Sequence, residues 1–303
     1  MSTIPVLDIS VFDKDQSRFV DELGRAYREW GFAGITGHGI DTSVIKEALK
    51  AAESFFALPE DTKKHYVLPA GSARGFTPFG VEIAKDARHS DLKEFFHIGR
   101  EVNEEGKNIW PTETPDFEVA FRRLYQELDT LAHRLLSGMA LSLGLDAAYF
   151  EPRVNTGDSI LRVLHYPPIT DVEIPNLRAA AHEDINLITL LAGSEQAGLE
   201  VLSRKGEWVP ISMIEGTIVC NVGDMLQRLT NKRMPSTTHR VANPKGDLAR
   251  VSRYSIPFFM HPNSDMSLDA LPQCIDEQHP KEFAAITAGE YLQERLREIG
   301  LLK

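Results

Sequence analysis

The sequence predicts a mixed α and β fold: an α-rich N-terminal region over residues 1–157, an antiparallel β core over 158–262, and a C-terminal helical segment over 263–303, packed as one unit. Three observations lead there. One apolar stripe, Phe117, Phe121, Leu124, Leu128, Leu131, Leu135 and Met139, recurs at helical spacing. After Gly157 the texture changes to short runs of Val, Ile, Leu and Thr broken by regular turn signals, which reads as a sandwich or barrel. From Pro280 to Leu302 the helical texture returns, with Glu290 to Ile299 amphipathic and placed to cover a barrel mouth.

Taken in order, Ile4 to Ile9 alternates like a short strand, and Gln16 to Trp30 and Ser43 to Phe56 have helical periodicity. Phe32 to Thr36 is a strand between them, closed by Gly37 and Gly39. Thr112 to Asp116 opens the longest helix, which ends near Gly144. In the β part the turns are Pro167-Pro168, Gly193-Ser194, Lys205-Gly206, Gly223-Asp224 and Asn231-Lys232. No Gly/Ser/Pro-rich linker separates the parts.

Composition narrows the function classes. With 42% hydrophobic and 25% charged residues the chain is ordinary for a folded protein, which excludes global disorder. A net charge of −11 disfavours nucleic acid and anionic membrane as partners, and acidity alone selects no substrate. Cys220 and Cys274 form no CxxC pair, so a disulfide scaffold is not expected and a reducing compartment fits. The N-terminus does not read as a signal peptide, and no run approaches about 18 apolar residues. A cytoplasmic protein is expected.

The chemistry concentrates on a His-x-Asp triplet. Residues i and i+2 of a strand share a face, so His182 and Asp184, leading into the apolar run Ile185 to Leu191, present a nitrogen and an oxygen together. A third ligand must come from another strand, and His239 in Ser236-Thr237-Thr238-His239-Arg240-Val241 has strand-like flanks. Two imidazoles and one carboxylate on one side of a metal leave open positions, which suits iron(II) and oxygen; zinc is the lesser option. A rival triplet, His89 and Asp91, lies in the α-rich part with no strand-borne histidine following it, and reads as surface or capping chemistry.

Arg253 and Ser255 share a face of the run Ser252 to Phe259 and together suit one carboxylate, with Tyr166 able to add a phenol. Arg250-Val251-Ser252 is a second Arg-x-Ser; Arg253 is preferred because its strand continues into the apolar Ile256-Pro257-Phe258-Phe259. Phe259 is on the face of Arg253 and is a candidate pocket residue, as is Arg162, which shares a face with Tyr166 and would meet an acidic substrate or serve structure. The aromatic stretch Gly75 to Gly80 reads first as core packing and second as part of a mouth.

An ordered set of motifs carries a resemblance. Ile4-Pro5-Val6-Leu7-Asp8, Trp30-Gly31-Phe32, His38-Gly39-Ile40, Leu164-His165-Tyr166-Pro167, His182-x-Asp184, Asn221-Val222-Gly223-Asp224, Leu229-Thr230-Asn231, Ser236 to Val241 and Arg253-x-Ser255 follow one another nearly end to end. The chain resembles the isopenicillin N synthase-like branch of the iron(II)/2-oxoglutarate-dependent dioxygenases. The resemblance implies a double-stranded β-helix (jelly-roll) core, Fe(II) held by His182, Asp184 and His239, and 2-oxoglutarate held through its distal carboxylate by Arg253, Ser255 and Tyr166. It implies O2 as co-substrate, with succinate and carbon dioxide released as a small organic substrate is hydroxylated, desaturated or cyclised. Lys232 departs from the family's usual Gly after Asn231 and should strain a primed hairpin turn. The interval from His239 to Arg253 is longer than in many members and fits the polar loop 243–247. Two other readings use the same residues. One is an iron-dependent oxidase of this fold that takes O2 without 2-oxoglutarate. The other is a jelly-roll binding protein without catalysis, against which the presence of all three ligand types argues.

Overall fold

In the computed structural model, residues 4–69, 72–82, 89–102, 106–169, 176–193, 198–211 and 216–298 are described. Among the described residues twelve strands make two sheets. In chain order they are β1 (Val6–Asp8), β2 (Phe32–Thr36), β3 (Gly75–Thr77), β4 (Glu94–Gly99), β5 (Ile160–Tyr166), β6 (Ala179–His182), β7 (Ile188–Ala192), β8 (Leu199–Leu202), β9 (Trp208–Pro210), β10 (Ile218–Val222), β11 (His239–Val241) and β12 (Arg253–Met260). The larger sheet runs β1-β2-β10-β7-β12-β5-β4-β3 and the smaller β6-β11-β8-β9. The two form a jelly roll, whose inner faces enclose a cleft.

The α-helices of the described residues surround it: α1 (Gln16–Trp30), α2 (Thr42–Phe56), α3 (Glu60–Lys64), α4 (Asp116–Ser142), α5 (Glu151–Val154), α6 (Asp224–Leu229) and α7 (Ala288–Glu298). The seven-residue stripe read from the sequence is the buried face of α4, which packs on β12 and β7 together with α1 and α2. Phe55 of α2 lies within 6.0 Å, centroid to centroid, of Phe56, Tyr66, Phe76, Phe96 and Phe117, an aromatic cluster that ties helices to the outer strands. Leu128 is fully buried at the middle of the stripe. Leu128→Ala should lower unfolding stability by about 3 kcal/mol, measured by denaturant melts, since a long helix seated on a sheet cannot collapse into the cavity.

Four differences from the sequence reading emerge. The N-terminal region is not only a helical flank: β1, β2, β3 and β4 are four of the eight strands of the larger sheet. β2 joins β10 antiparallel and β1 parallel, pairings between residues far apart in the chain that no local period announces. Next, Asn231-Lys232 is not a hairpin turn. It ends α6, and both residues have positive φ, 48° and 63°. Buried Asn231 donates to the carbonyls of Cys274, His279 and Pro280 and accepts from the Glu282 amide, so this costly backbone pins the C-terminal segment.

Third, the C-terminal helix starts at Ala288, not Pro280; residues 299–302, expected to be helical, and Ser194 lie outside the described residues. Fourth, Asp91 is not at the surface. It is 2% exposed, accepts from the β6 amide of Ala180 and pairs with Lys93. Only His89 is exposed. Phe76 packs in the core as expected, while Phe79 is half-exposed. Among the described residues no helix is long and apolar enough to cross a membrane.

Candidate active site

His182 ends β6 and His239 begins β11, and the two are direct partners in the antiparallel ladder. That register sets their imidazoles side by side, with ring centroids 4.4 Å apart. Each ring is oriented by its own backbone. His182 Nδ1–H donates to the Ala180 carbonyl at 2.7 Å and His239 Nδ1–H to the Thr237 carbonyl at 3.1 Å. Both Nε2 atoms are thereby left as lone-pair donors pointing the same way. Phe32 meets the His239 ring edge-on at 5.4 Å.

Asp184 lies just past the end of β6, where Gly223 allows α6 to begin close by. A Cβ on Gly223 would collide with the Asn186 backbone, and the Asp224 amide donates to the Asp184 carbonyl at 2.7 Å. Tyr291 of α7 donates to the Asp224 carboxylate, clamping this turn from behind. Thr189 of β7 and Asn221 of β10, which are cross-strand partners, both donate to Asp184 Oδ2, at 2.6 and 2.8 Å. Oδ1 is left toward the histidines, 3.9 Å from His182 Nε2 and 3.8 Å from His239 Nε2. The three ligand atoms lie within 4.8 Å of one another.

Electrostatics favour a cation here. Burial, helped by His239, pushes the His182 imidazole down to about 4, so it is neutral near neutral pH and its lone pair is available. Burial would raise Asp184, but His239, His182 and its two hydrogen-bond donors hold it below the usual carboxylate range. Two imidazole nitrogens and one carboxylate oxygen, each fixed by a backbone or side-chain partner, fit a divalent first-row metal with positions left open.

The cleft between the sheets, about 610 Å³ of open space, runs from this trio to a cationic end. Arg253 of β12 and Tyr166 of β5 are register partners there, and both line the cleft with Ser255. Arg253 is 1% exposed, its guanidinium 5.0 Å from the Tyr166 ring centroid. Burial lowers its pKa while the phenol beside it raises it. Arg250, of the rival Arg-x-Ser, is exposed. All six predicted site residues therefore face one cleft.

Sequence reasoning missed several neighbours. Thr189 and Asn221 orient Asp184, and Asn221 had been noticed only as part of a motif. Arg178, 1% exposed, stands near the same Tyr166 ring at 5.9 Å and donates to the Val251 carbonyl. Burial and the adjacent Arg253 bring it down to about 10, so a second guanidinium adds positive potential at that end. Lys93 also lines the cleft, and behind it Glu82 pairs with Lys93 and Arg162 while His97 accepts from Arg162; nothing local in the sequence marked them.

Comparison with known proteins agrees. Residues 157–262 match the 2OG-Fe(II) oxygenase superfamily, and residues 4–113 match the family described as non-haem dioxygenase in morphine synthesis N-terminal. The proline hydroxylase buaE of Petromyces alliaceus is 36% identical over 297 residues, 93% of each chain.

The chain belongs to the 2OG-Fe(II) oxygenase superfamily.

A crystal structure of a 2OG-Fe(II) oxygenase family protein from Caulobacter crescentus is 46% identical, covers 99% of this chain and 100% of that one, and superposes with a TM-score of 0.91. A full-length Neurospora crassa enzyme in complex with alpha-KG and thymine is 29% identical, with 97% and 96% covered and a TM-score of 0.88. This oxygenase is accordingly an oxidoreductase that uses Fe(II), 2-oxoglutarate and O2 and oxidises a small organic substrate.

Proposed function

We propose that in this oxygenase His182 Nε2, Asp184 Oδ1 and His239 Nε2 are the protein ligands of iron(II), and that Arg253, Ser255 and Tyr166 receive the distal carboxylate of 2-oxoglutarate. The observation that carries the reading is the convergence of three separately oriented ligand atoms at one end of a cleft whose other end holds a buried guanidinium. When bound, iron(II) and 2-oxoglutarate supply the oxidising chemistry, with succinate and carbon dioxide as by-products.

The chain's own residues orient, neutralise and exclude water. Backbone carbonyls lock the two imidazoles, and Thr189 and Asn221 reserve one carboxylate oxygen for themselves so that the other faces the metal. Arg253 and the Ser255 hydroxyl would meet a carboxylate with a fork and a hydrogen bond in a largely water-free end of the cleft, where a charge-assisted contact is strong. Leu164, Leu191, Val219 and Pro257 wall the passage between the two ends and limit water there. The jelly roll over 158–262 would carry this machinery, with residues 1–157 lending strands and helices. Buried, free Cys220 and Cys274 suit a reducing, cytoplasmic location.

Succinate release from 2-oxoglutarate, dependent on added Fe(II), tests the assignment. Wild type should release succinate slowly alone and faster with its substrate; consumption of O2 with a substrate but no 2-oxoglutarate would favour the oxidase reading instead. Thr189→Val should weaken metal affinity by about tenfold to a hundredfold without removing a ligand, read by Mn(II) titration. Unchanged affinity would show that Asp184 needs no such partner.

A further inference from the structure

The larger sheet's inner face continues beyond Arg253, Ser255 and Tyr166. Along β12 it passes Pro257 to Phe259, and along β5 it passes Leu164 to Arg162. β4 adds Phe95 and His97, with His97 the register partner of Arg162. Phe259 is the partner of Thr189, which donates to Asp184, so this stretch lies beside the metal ligands. Arg253, Ser255 and Tyr166 are buried, whereas Phe259, Arg162, His97 and Glu82 are only half-buried. A molecule arriving from solution meets this end first.

Arg162 is held on two sides. Its Nε donates to His97 Nε2 at 2.7 Å and its Nη1 to Glu82 at 3.2 Å. Its guanidinium carbon lies 4.3 Å from the Phe95 ring centroid and 5.4 Å from that of Phe259. Burial and Arg162 itself keep His97 well below the ordinary imidazole range, as an acceptor requires. A guanidinium so pinned and stacked offers its donors in a set direction.

Among the described residues the charge around it is balanced. Glu82 pairs with Arg162 at 3.1 Å and with Lys93 at 2.8 Å, and Lys93 also pairs with Asp91 at 2.7 Å. Lys93, Arg162, Glu82 and Asp91 sum to zero formal charge. A substrate carboxylate placed here would gain no net attraction, would approach Glu82, and would share the cleft with a dicarboxylate co-substrate. A neutral carbonyl oxygen takes a hydrogen bond from Arg162 without those costs. Beside it, Phe259 with Pro257 and Leu191 offers an apolar, partly flat wall.

We propose that Arg162 and Phe259 are the specificity-determining pair of this cleft, and that the substrate is a small uncharged ring whose carbonyl oxygen accepts from Arg162 while its face rests on Phe259. The proposal rests on the cleft assigned above to iron and 2-oxoglutarate, and it replaces the acidic substrate anticipated from Arg162 alone.

Isothermal titration of the anaerobic Fe(II)- and 2-oxoglutarate-loaded protein tests it, with thymine and benzamide as neutral ring probes and benzoate and L-proline as charged ones. At least one neutral ring should bind about tenfold or more tighter than either charged probe. Arg162→Gln and Phe259→Leu should each weaken that binding by about tenfold to a hundredfold, with 2-oxoglutarate affinity held within about twofold. Thermal melts check folding, and Phe259→Leu carries the test alone should Arg162→Gln unfold through loss of the Glu82 pair. Binding by neither neutral ring, tighter binding of a charged probe, or wild-type ring affinity in the folded variants overturns the proposal. Failure of wild type to bind 2-oxoglutarate refutes the underlying cleft assignment, and the proposal falls with it.

Discussion

Asp184→Ala should abolish iron binding and with it turnover, by at least about a thousandfold, well beyond the tenfold to hundredfold expected for an outer partner such as Thr189. The change removes the sole carboxylate of the trio, so two imidazoles face the cation alone. It also leaves Thr189 and Asn221 without their buried acceptor, at about 1–3 kcal/mol each. The jelly roll should absorb that loss, because the surrounding ladders and the core beneath α4 do not depend on it. Iron content after anaerobic loading, succinate release and a thermal melt are the three measurements. A folded variant that retains stoichiometric iron would remove Asp184 from the ligand set.

Arg253→Met should raise the 2-oxoglutarate Kd and KM by about a hundredfold or more while metal affinity stays near wild type. The carboxylate would then enter a buried end of the cleft with its main counter-charge gone, and breaking such a pair from one side costs about 3–5 kcal/mol. Arg253→Lys should recover only part of the loss, because a point charge does not reproduce the planar fork. Ser255→Ala removes one hydrogen bond and should cost about tenfold. Equal 2-oxoglutarate affinity in wild type and Arg253→Met would move the carboxylate site elsewhere, with Arg178, near the same tyrosine, the first residue to test next.

What could be read in advance divides along a physical line. Helices α1 and α4 and strand β2 were legible because their periods are local, and α1 and β2 have the bounds anticipated. The place of β2 in the larger sheet was not, since its partner β10 lies far along the chain. β4 escaped notice because Glu94 and His97 break its apolar run, and both find partners on distant segments: Glu94 in Lys63 and His165, and His97 in Arg162. Asp91 looked like a surface residue because the β6 amide that donates to it lies far along the chain; its other partner, Lys93, is a near neighbour.

The trio itself was visible because metal chemistry demands particular residue types, and His-x-Asp followed by a strand-borne His is an uncommon coincidence. Strand alternation alone does not place Asp184. β6 ends at His182, and Asp184 is brought round by the tight turn at Gly223 and α6. What lay out of reach was the layer behind: Thr189 and Asn221, polar residues inside apolar runs, whose meaning appears only when β7 and β10 are side by side.

Anomalous diffraction from crystals grown without oxygen in the presence of Fe(II) and 2-oxoglutarate tests the central claim most directly. One iron peak should lie at bonding distance from His182 Nε2, Asp184 Oδ1 and His239 Nε2, with the far carboxylate of 2-oxoglutarate on Arg253. Iron bound elsewhere, or 2-oxoglutarate turned away from Arg253, would contradict the account.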